Sequence, residues 1–312
     1  MDVMESVLMD HAVPPVLLIV FNRIDTIKRT LEAVARAAPR RIFVAADGPR
    51  DHVPGEAEKC REVRDYVLSH IGWDCELKTR FLDRNAGCRR AVSGAVDWFF
   101  SEVEEGIVLE DDCLPGRDFF RFAAAALDFY RDDPRIMHIN GSAFARPDIS
   151  PFCAYFYRYA HVWGWASWRR AWKHYDVDLK NFDPKRLFDV FPDDPKQAAR
   201  WNGICRNVLA ENRGFDTWDF QWTYTVMACG GWCLSPVGNL ITNIGMQQST
   251  HDMEAVSSVL GQAAYSLPSD LVFPRERLLA AEKIEHDVYE KIYALPPLSE
   301  RLVKRIAKSF RR

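Results

Sequence analysis

Three consecutive acidic residues, Glu110-Asp111-Asp112, directly follow the apolar run Gly106–Leu109, which has the length of a buried strand. Like charges at such short range repel each other, so this run is unfavourable unless a cation lies among the carboxylates. Hard divalent cations prefer carboxylate oxygens and often combine one or two of them with substrate phosphates. The run therefore predicts a Mn²⁺ or Mg²⁺ site. The alternative is a helix start that Asp111 and Asp112 cap or favour.

Two other polar groups follow strand-like runs earlier in the chain. Asn22-Arg23 comes after Pro15–Phe21, and Asp47 comes after Arg41–Ala46. The carboxyl ends of parallel strands lie at one edge of an open sheet, and ligands bind there. We therefore expect these groups to meet the acidic run at a single site.

The sequence contains neither a GxxxxGK[ST] loop nor a GxGxxG after the first strand, so a diphosphate would need a metal and basic side chains instead. The basic candidates are Arg23, Arg84, Arg89 and Arg90. The alternative for Arg89 and Arg90 is a solvated helix face.

The elements that must position these residues alternate between strand and helix through the first half of the chain. The predicted strands are Pro15–Phe21, Arg41–Ala46, Cys75–Leu82, Gly106–Leu109 and Ile136–Asn140. The predicted helices are Asp25–Ala38, Glu56–His70, Gly87–Val103 and Asp118–Tyr130. This order predicts an α/β fold with a mostly parallel sheet and helices on both faces.

Beyond residue 150 the alternation stops, and eight of the ten Trp residues lie there. No Gly/Ser-rich linker separates the halves, which predicts a second lobe packed on the same sheet. Trp165, Trp168 and Trp172 recur at helical spacing, and we expect most of these rings in the core. His138, His161 and His174 lack a partner at metal-ligand spacing and are expected to be structural.

Composition narrows the class of protein. The 312 residues are 48% apolar with a net charge of −3, which predicts a globular chain and argues against a dedicated nucleic-acid binder. The eight scattered Cys residues indicate reduced thiols rather than a disulfide framework. Neither a signal peptide nor a membrane-spanning run is visible, so we expect a cytoplasmic protein.

The C-terminal segment Leu298–Arg312 carries six basic residues and one acidic residue. Leu302, Ile306 and Phe310 are spaced four apart, which gives one apolar helical face among basic ones. This pattern suits an anionic membrane surface, such as the inner face of the cytoplasmic membrane. A solvated helix that docks on its own domain is the equal alternative.

Five segments in matching order resemble one family of nucleotide-sugar enzymes. They are VPPVLLIVFNRIDTIKRTLEAV, GIVLEDDCLPGRDFFRFAAAAL, HVWGWASWRRAW, FDTWDFQW and LSPVGNLITNIGMQQSTH. Together they resemble the N-acetylglucosaminyltransferase I family and its bacterial relatives, over roughly residues 13–252. The resemblance implies a GT-A fold, which is a Rossmann-like nucleotide-sugar-binding sheet with flanking helices. An acceptor-side lobe and a C-terminal helical tail would complete the chain.

The resemblance also implies roles for single residues at the donor site. Asp47 would bind the uracil edge, and Asp111 would contact the ribose or donor sugar. Asp112 would be the direct metal ligand, with His251 near the metal or the diphosphate. The uridine and phosphate site would be lined by Phe21, Asn22 and Arg23, and we group Glu110 and Arg89 with these nucleotide-sugar-binding residues.

On the acceptor side, the resemblance implies that Asp219 is the catalytic base and places Trp218 at the acceptor pocket. The neighbouring Trp218 and Trp222 would raise the pKa of Asp219 by desolvation. Asp216 is the substitute base. The family has a second acidic residue beside the base, and Phe220 stands at that position here.

These expectations define a function and three regions. The function is metal-dependent, inverting transfer of a sugar from a UDP-sugar to a glycan or lipid-linked acceptor in surface-polysaccharide synthesis. The regions are a nucleotide-sugar-binding half at 13–150, an acceptor-binding half at 151–252 and a C-terminal extension at 253–312. The alternatives are a sugar-1-phosphate nucleotidyltransferase and a non-catalytic glycan-binding protein on the same fold.

Overall fold

The computed structural model describes residues 11–210, 216–245, 265–278 and 280–294. Two predicted features lie outside these ranges. They are His251 and the basic segment Leu298–Arg312.

The first half of the chain alternates strand and helix as expected. The strands are β1 (Val16–Val20), β2 (Arg41–Ala46), β3 (Glu76–Phe81), β4 (Glu105–Glu110), the short β5 (Cys113–Pro115) and β6 (Ile136–Asn140). The helices between them are α1 (Ile24–Ala37), α2 (Glu56–His70), α3 (Gly87–Glu102) and α4 (Arg117–Phe129). Each predicted element up to residue 140 is confirmed within one or two residues at its ends.

The second half is less regular. Its strands are β7 (Ala154–Tyr157), β8 (Trp165–Trp168), β9 (Trp232–Pro236) and β10 (Ile241–Asn243). Its helices are α5 (Arg169–Trp172), α6 (Pro184–Val190), α7 (Pro195–Leu209), α8 (Asp219–Ala228) and α9 (Ala280–Val288), followed by a π-helical turn at Tyr289–Tyr293. The expected helix through Trp165 and Trp168 is wrong, because these residues form β8, and the helical turn begins only at Arg169.

Local sequence explains where several helices start and stop. In α6 and α7 an Asp precedes a Pro at the first helical position, and the Asp183 and Asp194 side chains accept from backbone N–H groups one turn in. Helix α1 ends at Ala38, which takes a left-handed conformation with φ 45°. Pro39 follows and cannot continue the helical hydrogen-bond pattern.

One eight-stranded sheet, in the order β3-β2-β1-β4-β8-β6-β9-β7, organises the molecule. The first four strands are parallel, whereas β8 lies antiparallel between β4 and β6. The expectation of a mostly parallel sheet is confirmed, since β1–β4 are parallel and β6 is parallel to β9, while β7 and β8 run antiparallel to their neighbours. The α/β fold class of the Rossmann-like, GT-A type is confirmed by this arrangement. The sheet crosses residue 150, since β6 pairs with β8 and β9.

The two faces of the sheet bury separate apolar cores, because alternate residues of a strand point to opposite faces. On one face, Ile19 and Ala45 pack with Val92 of α3 and with the aromatic side chains of the second half. On the other face, Leu18 and Val44 pack with the apolar sides of α1, α2 and α4. Helix α3 therefore covers the face that continues into the second half.

Candidate functional site

A cavity of about 320 Å³ lies where the carboxyl ends of β1, β2 and β4 meet the first turns of α3. Its lining includes side chains from all four parallel strands and one residue of the second half. These are Ile19, Phe21, Arg23, Ala45, Asp47, Arg50, Arg80, Leu82, Asn85, Cys88, Ala91, Val92, Glu110, Asp111 and Asp216. The prediction that residues after β1, β2 and β4 meet at one edge is confirmed.

Arg23 joins the two aspartates that follow β4. Its guanidinium donates to Asp111 and, at 2.9 Å, to Oδ2 of Asp112. The backbone of Asp111 is held from α1, since the Thr30 hydroxyl donates to its carbonyl at 2.9 Å. Gly245 packs so closely on the Arg23–Asp112 pair that a Cβ atom there would clash with the carboxylate. Arg23 and the two aspartates are therefore held in place by contacts from α1 and from Gly245.

The Glu110 side chain points away from Arg23 and the two aspartates. It is two residues after Val108, which belongs to the α3-side core, so its side chain lies on that face and lines the cavity. Burial and repulsion from Asp112 and Asp111 raise the pKa of Glu110 to about 8. Burial also raises the pKa of Asp111, to about 6, against the opposing effect of Arg23. Without a bound cation, Glu110 therefore keeps its proton at neutral pH, and full ionisation of the acidic run needs additional positive charge.

The acidic run fits a divalent cation in charge and donor type. Two aspartates share one guanidinium, and the buried Oδ2 of Asp111 has no hydrogen-bond partner among the described residues. Within those same ranges no three side chains form a complete metal-ligand cluster. A cation at this edge would thus be held by one or two aspartate oxygens and would need substrate phosphates to complete its ligands.

Asp47 organises the rim of the cavity. Its Oδ1 accepts from the backbone N–H groups of Gly48 and Ala86, both at 2.8 Å, and its Oδ2 accepts from Asn85 Nδ2 at 2.8 Å. These bonds tie the end of β2 to the loop before α3. Asp47, for which the resemblance implies a base-binding role, therefore lines the cavity with part of its accepting capacity already used.

Phe21 and its neighbours close the cavity near α2. Arg50 lies over the Phe21 ring at 5.7 Å and donates to Glu56. Asn22 Nδ2 also donates to Glu56, at 2.9 Å, and Asn22 does not line the cavity. The Arg50 side chain lowers the pKa of Glu56 to about 2. Of the predicted uridine-site residues, the structure therefore brings Phe21 and Arg23 to the cavity and gives Asn22 a supporting contact.

Arg89 does not reach the cavity. Its guanidinium donates to the Val177 carbonyl from Nε at 3.0 Å and lies 3.3 Å from Asp178. Arg90 donates to the same aspartate at 2.6 Å. These two arginines hold the 177–178 loop against α3, so Arg89 is not placed to contact a phosphate in the cavity, and the role expected for it is corrected.

Asp216 connects the second half of the chain to the start of α3. Its two oxygens accept from the backbone N–H groups of Cys88 at 3.0 Å and Arg89 at 3.1 Å. Gly87, with φ +79°, lies so near that a Cβ atom would be 2.9 Å from Asp216 Oδ2. The carboxylate therefore caps the helix from a distant part of the chain and also forms part of the cavity wall.

Asp219 is the first residue of α8 and is half-buried. Burial raises its pKa, while the Thr217 hydroxyl that donates to it acts in the opposite direction. The charge of Asp219 contributes to the raised pKa of Glu110, so the two carboxyl groups from the two halves are close enough to interact. An aspartate that holds its proton more tightly than usual is suited to accept a proton.

Trp218 lies in the core. It is 3% exposed and packs against Trp165 and Trp172, with ring centroids 5.8 and 6.2 Å apart. Its ring offers no face to an acceptor, which corrects the expected acceptor contact. The structural role expected for His138 agrees with its complete burial and with its contact to the His161 carbonyl at 3.1 Å.

Sequence reasoning missed Arg80 and Arg50 at this site. Arg80 is on β3, and its position follows from strand alternation once β3 is aligned with β2. Arg50 lies in the loop after β2, and no spacing rule predicts where a loop arginine points.

Comparisons with known proteins give only remote likenesses. No protein-family model and no curated protein matches the sequence. Similar solved structures include the mannosyltransferase PcManGT from Pyrobaculum calidifontis in complex with GDP-Man and Mn²⁺ (14% identity, 73% of this chain and 72% of that chain, TM-score 0.40). An apo UDP-glucose pyrophosphorylase (9%, 72% and 90%, 0.36) and mouse xyloside xylosyltransferase 1 (11%, 80% and 94%, 0.33) are others. Likenesses with TM-scores this low do not indicate the function of this chain.

Proposed function

We propose that this chain is a glycosyltransferase that moves a sugar from a UDP-sugar to a glycan or lipid-linked acceptor with Mn²⁺ or Mg²⁺. One observation supports this above all others. Glu110 and Asp111 line a cavity at the carboxyl ends of the parallel strands, and Asp219 of the other half is close enough to Glu110 to raise its pKa. A donor diphosphate and a proton acceptor on opposite sides of a sugar are what such a transfer requires.

Asp111 and Asp112 would hold the cation, in agreement with the Asp111 oxygen that has no partner in the part of the chain that the structure describes. A divalent ion there supplies Lewis-acid stabilisation for the charge that develops on the leaving diphosphate. Arg23 already contacts both aspartates and lines the cavity, so it is placed to keep one of them ionised and to face a phosphate oxygen.

Asp219 would take the proton of the acceptor hydroxyl. Its half-buried place at the start of α8 raises its pKa, which strengthens it as a base. A carboxylate that activates the acceptor on the face opposite the leaving group gives a single displacement and inverts the anomeric centre. Asp216 is less suited to this role, because both of its oxygens already cap α3.

A sugar-1-phosphate nucleotidyltransferase is the competing function. Such an enzyme would require a basic, Gly-rich loop after β1. Asn22 and Arg23 stand there instead, and their side chains are bound to Glu56 and to the two aspartates. This loop favours the transferase.

The direct test is release of UDP from a panel of UDP-sugars, measured with and without Mn²⁺, since many transferases pass the sugar slowly to water. We expect metal-stimulated release in the wild type. Asp219→Asn should bind UDP normally and lose at least about 100-fold in turnover, the usual size of a general-base effect. Release of pyrophosphate from a nucleoside triphosphate and a sugar phosphate would instead identify the nucleotidyltransferase. Retained turnover in Asp219→Asn would place the base elsewhere.

A further inference from the structure

Four side chains at the floor of the cavity form one row across the parallel strands. Arg80 is in register with Ala45, and Ala45 with Ile19. Ile19 is in turn opposite Glu110 on β4. In-register residues of parallel strands point to the same face, so all four face α3. Neighbouring strands are about 4.8 Å apart, so the two ends of the row are separated by about 14 Å.

The middle of this row is an apolar slot. Ile19 and Ala45 form its sheet side, and Ala91 and Val92 of α3 form the opposite side. Two of these four side chains are single methyl groups, which leaves room between sheet and helix. A flat ring, whose faces can lie against these apolar walls, fits a space of this kind better than a charged phosphate does.

The charges lie at the ends of the slot. Glu110 and the aspartates after it form one end, where a cation and a diphosphate would lie. Arg80 forms the other end, and it makes no hydrogen bond or ion pair with any residue in the described ranges. Helix α3 has a glycine where the guanidinium passes, since a Cβ on Gly94 would be 3.4 Å from Arg80 Nη2.

Asp47 stands at the mouth of the slot, two residues beyond Ala45 and therefore on the same side of the strand. Its Oδ1 already accepts two hydrogen bonds and its Oδ2 accepts one. Because each carboxylate oxygen offers about two lone-pair sites, one accepting site remains. One site suits a ring with a single N–H, as in uracil. Guanine presents two adjacent donors and would leave one of them unmatched.

We propose that Arg80 is a base-recognition residue that donates to a carbonyl oxygen of a uracil ring in the slot, while Asp47 accepts the ring N–H. The nucleotide then lies along the row, with its base at the Arg80 end and its diphosphate at the Glu110 end. This inference rests on the proposed function, which already names UDP and includes the Asp47 contact that the resemblance implies, and it adds Arg80 as the residue that selects the base.

Titration calorimetry with three probes tests the inference: UDP, GDP and inorganic pyrophosphate, each with Mn²⁺. We expect the wild type to bind UDP at least about tenfold more tightly than GDP. Arg80→Met should weaken UDP binding by about 10- to 100-fold, the effect of losing a charge-assisted hydrogen bond, and leave pyrophosphate binding unchanged. Arg61→Met is the matched control, because Arg61 is exposed on α2 and does not line the cavity. It should bind all three probes as the wild type does.

A second variant distinguishes loss of the base contact from loss of the fold. Arg80→Lys keeps the positive charge and the strand but loses the planar fork, so we expect an intermediate loss of UDP affinity. Unchanged UDP affinity in both Arg80 variants would overturn the inference. An equal loss for UDP and pyrophosphate would also overturn it, because Arg80 would then serve the phosphates or the fold. A wild type that binds none of the probes would instead refute the proposed function itself.

Discussion

The sheet edge at β1–β4 and the aromatic core of the second half both contain residue types known for chemistry, yet they use them differently. At the edge, two aspartates share the guanidinium of Arg23, and a buried oxygen of Asp111 lacks a partner among the described residues. In the core, the Trp222 indole N–H donates to His138 Nδ1 at 3.0 Å, and burial lowers the pKa of His138 to about 4. His138 is therefore neutral at physiological pH and serves packing.

This difference shows what separates a functional cluster from a structural one in this molecule. Both regions contain polar groups that the fold buries. In the core, partners within the chain keep His138 uncharged. At the edge, burial and the neighbouring aspartates keep Glu110 protonated beside an open cavity, and a bound cation would supply the positive charge that lets the acidic run ionise fully.

The largest loss of stability is expected from a substitution in the aromatic core of the second half. Trp222→Ala removes a fully buried ring that packs on Trp165 and Trp172 and supports His138. We expect a loss of about 3–5 kcal/mol in the free energy of unfolding, measured by urea denaturation. Binding of UDP with Mn²⁺ by the folded protein should not change, because the cavity lining does not include this ring.

Trp222→Phe is the control for that experiment. It keeps an aromatic ring and loses the indole donor, so its loss of stability should be smaller. A Trp222→Ala protein of normal stability that no longer binds UDP would contradict the assignment of stability to the core and of binding to the edge.

A smaller loss of stability is expected at Asp216, which connects the second half of the chain to the sheet edge. Asp216→Ala removes the acceptor for the first N–H groups of α3 and should cost about 1 kcal/mol of stability, as loss of a helix cap does. Asp216→Asn keeps one acceptor oxygen and should cost less. Thermal unfolding measures the stability, and the UDP-release assay measures turnover. If turnover falls more than 100-fold while stability is unchanged, Asp216 is the base and the role proposed for Asp219 is wrong.

Much of the edge could be predicted from the sequence, because strand and helix periodicity fixes which residues end each parallel strand. The acidic run, Asp47 and Arg23 were found this way. The partners of Arg89 could not be found, since its contact with Val177 joins segments far apart in the chain. Trp218 was misplaced for a similar reason, because sequence spacing does not reveal which rings share a core.

The antiparallel strand β8 also escaped prediction. Its four residues, Trp165–Trp168, are too short to establish an alternating pattern, and their spacing to Trp172 imitates a helix. Burial between β4 and β6 decides the outcome, which is a tertiary effect that local sequence does not express.

The central claim is that the acidic run after β4 holds a cation that in turn holds a diphosphate. Calorimetric titration of UDP with and without Mn²⁺, on the wild type and on Asp112→Asn, tests it most directly. We predict that Mn²⁺ strengthens UDP binding to the wild type by at least about tenfold, and that this gain disappears in Asp112→Asn while the protein stays folded. Equal UDP·Mn²⁺ affinity in the two proteins would contradict the account.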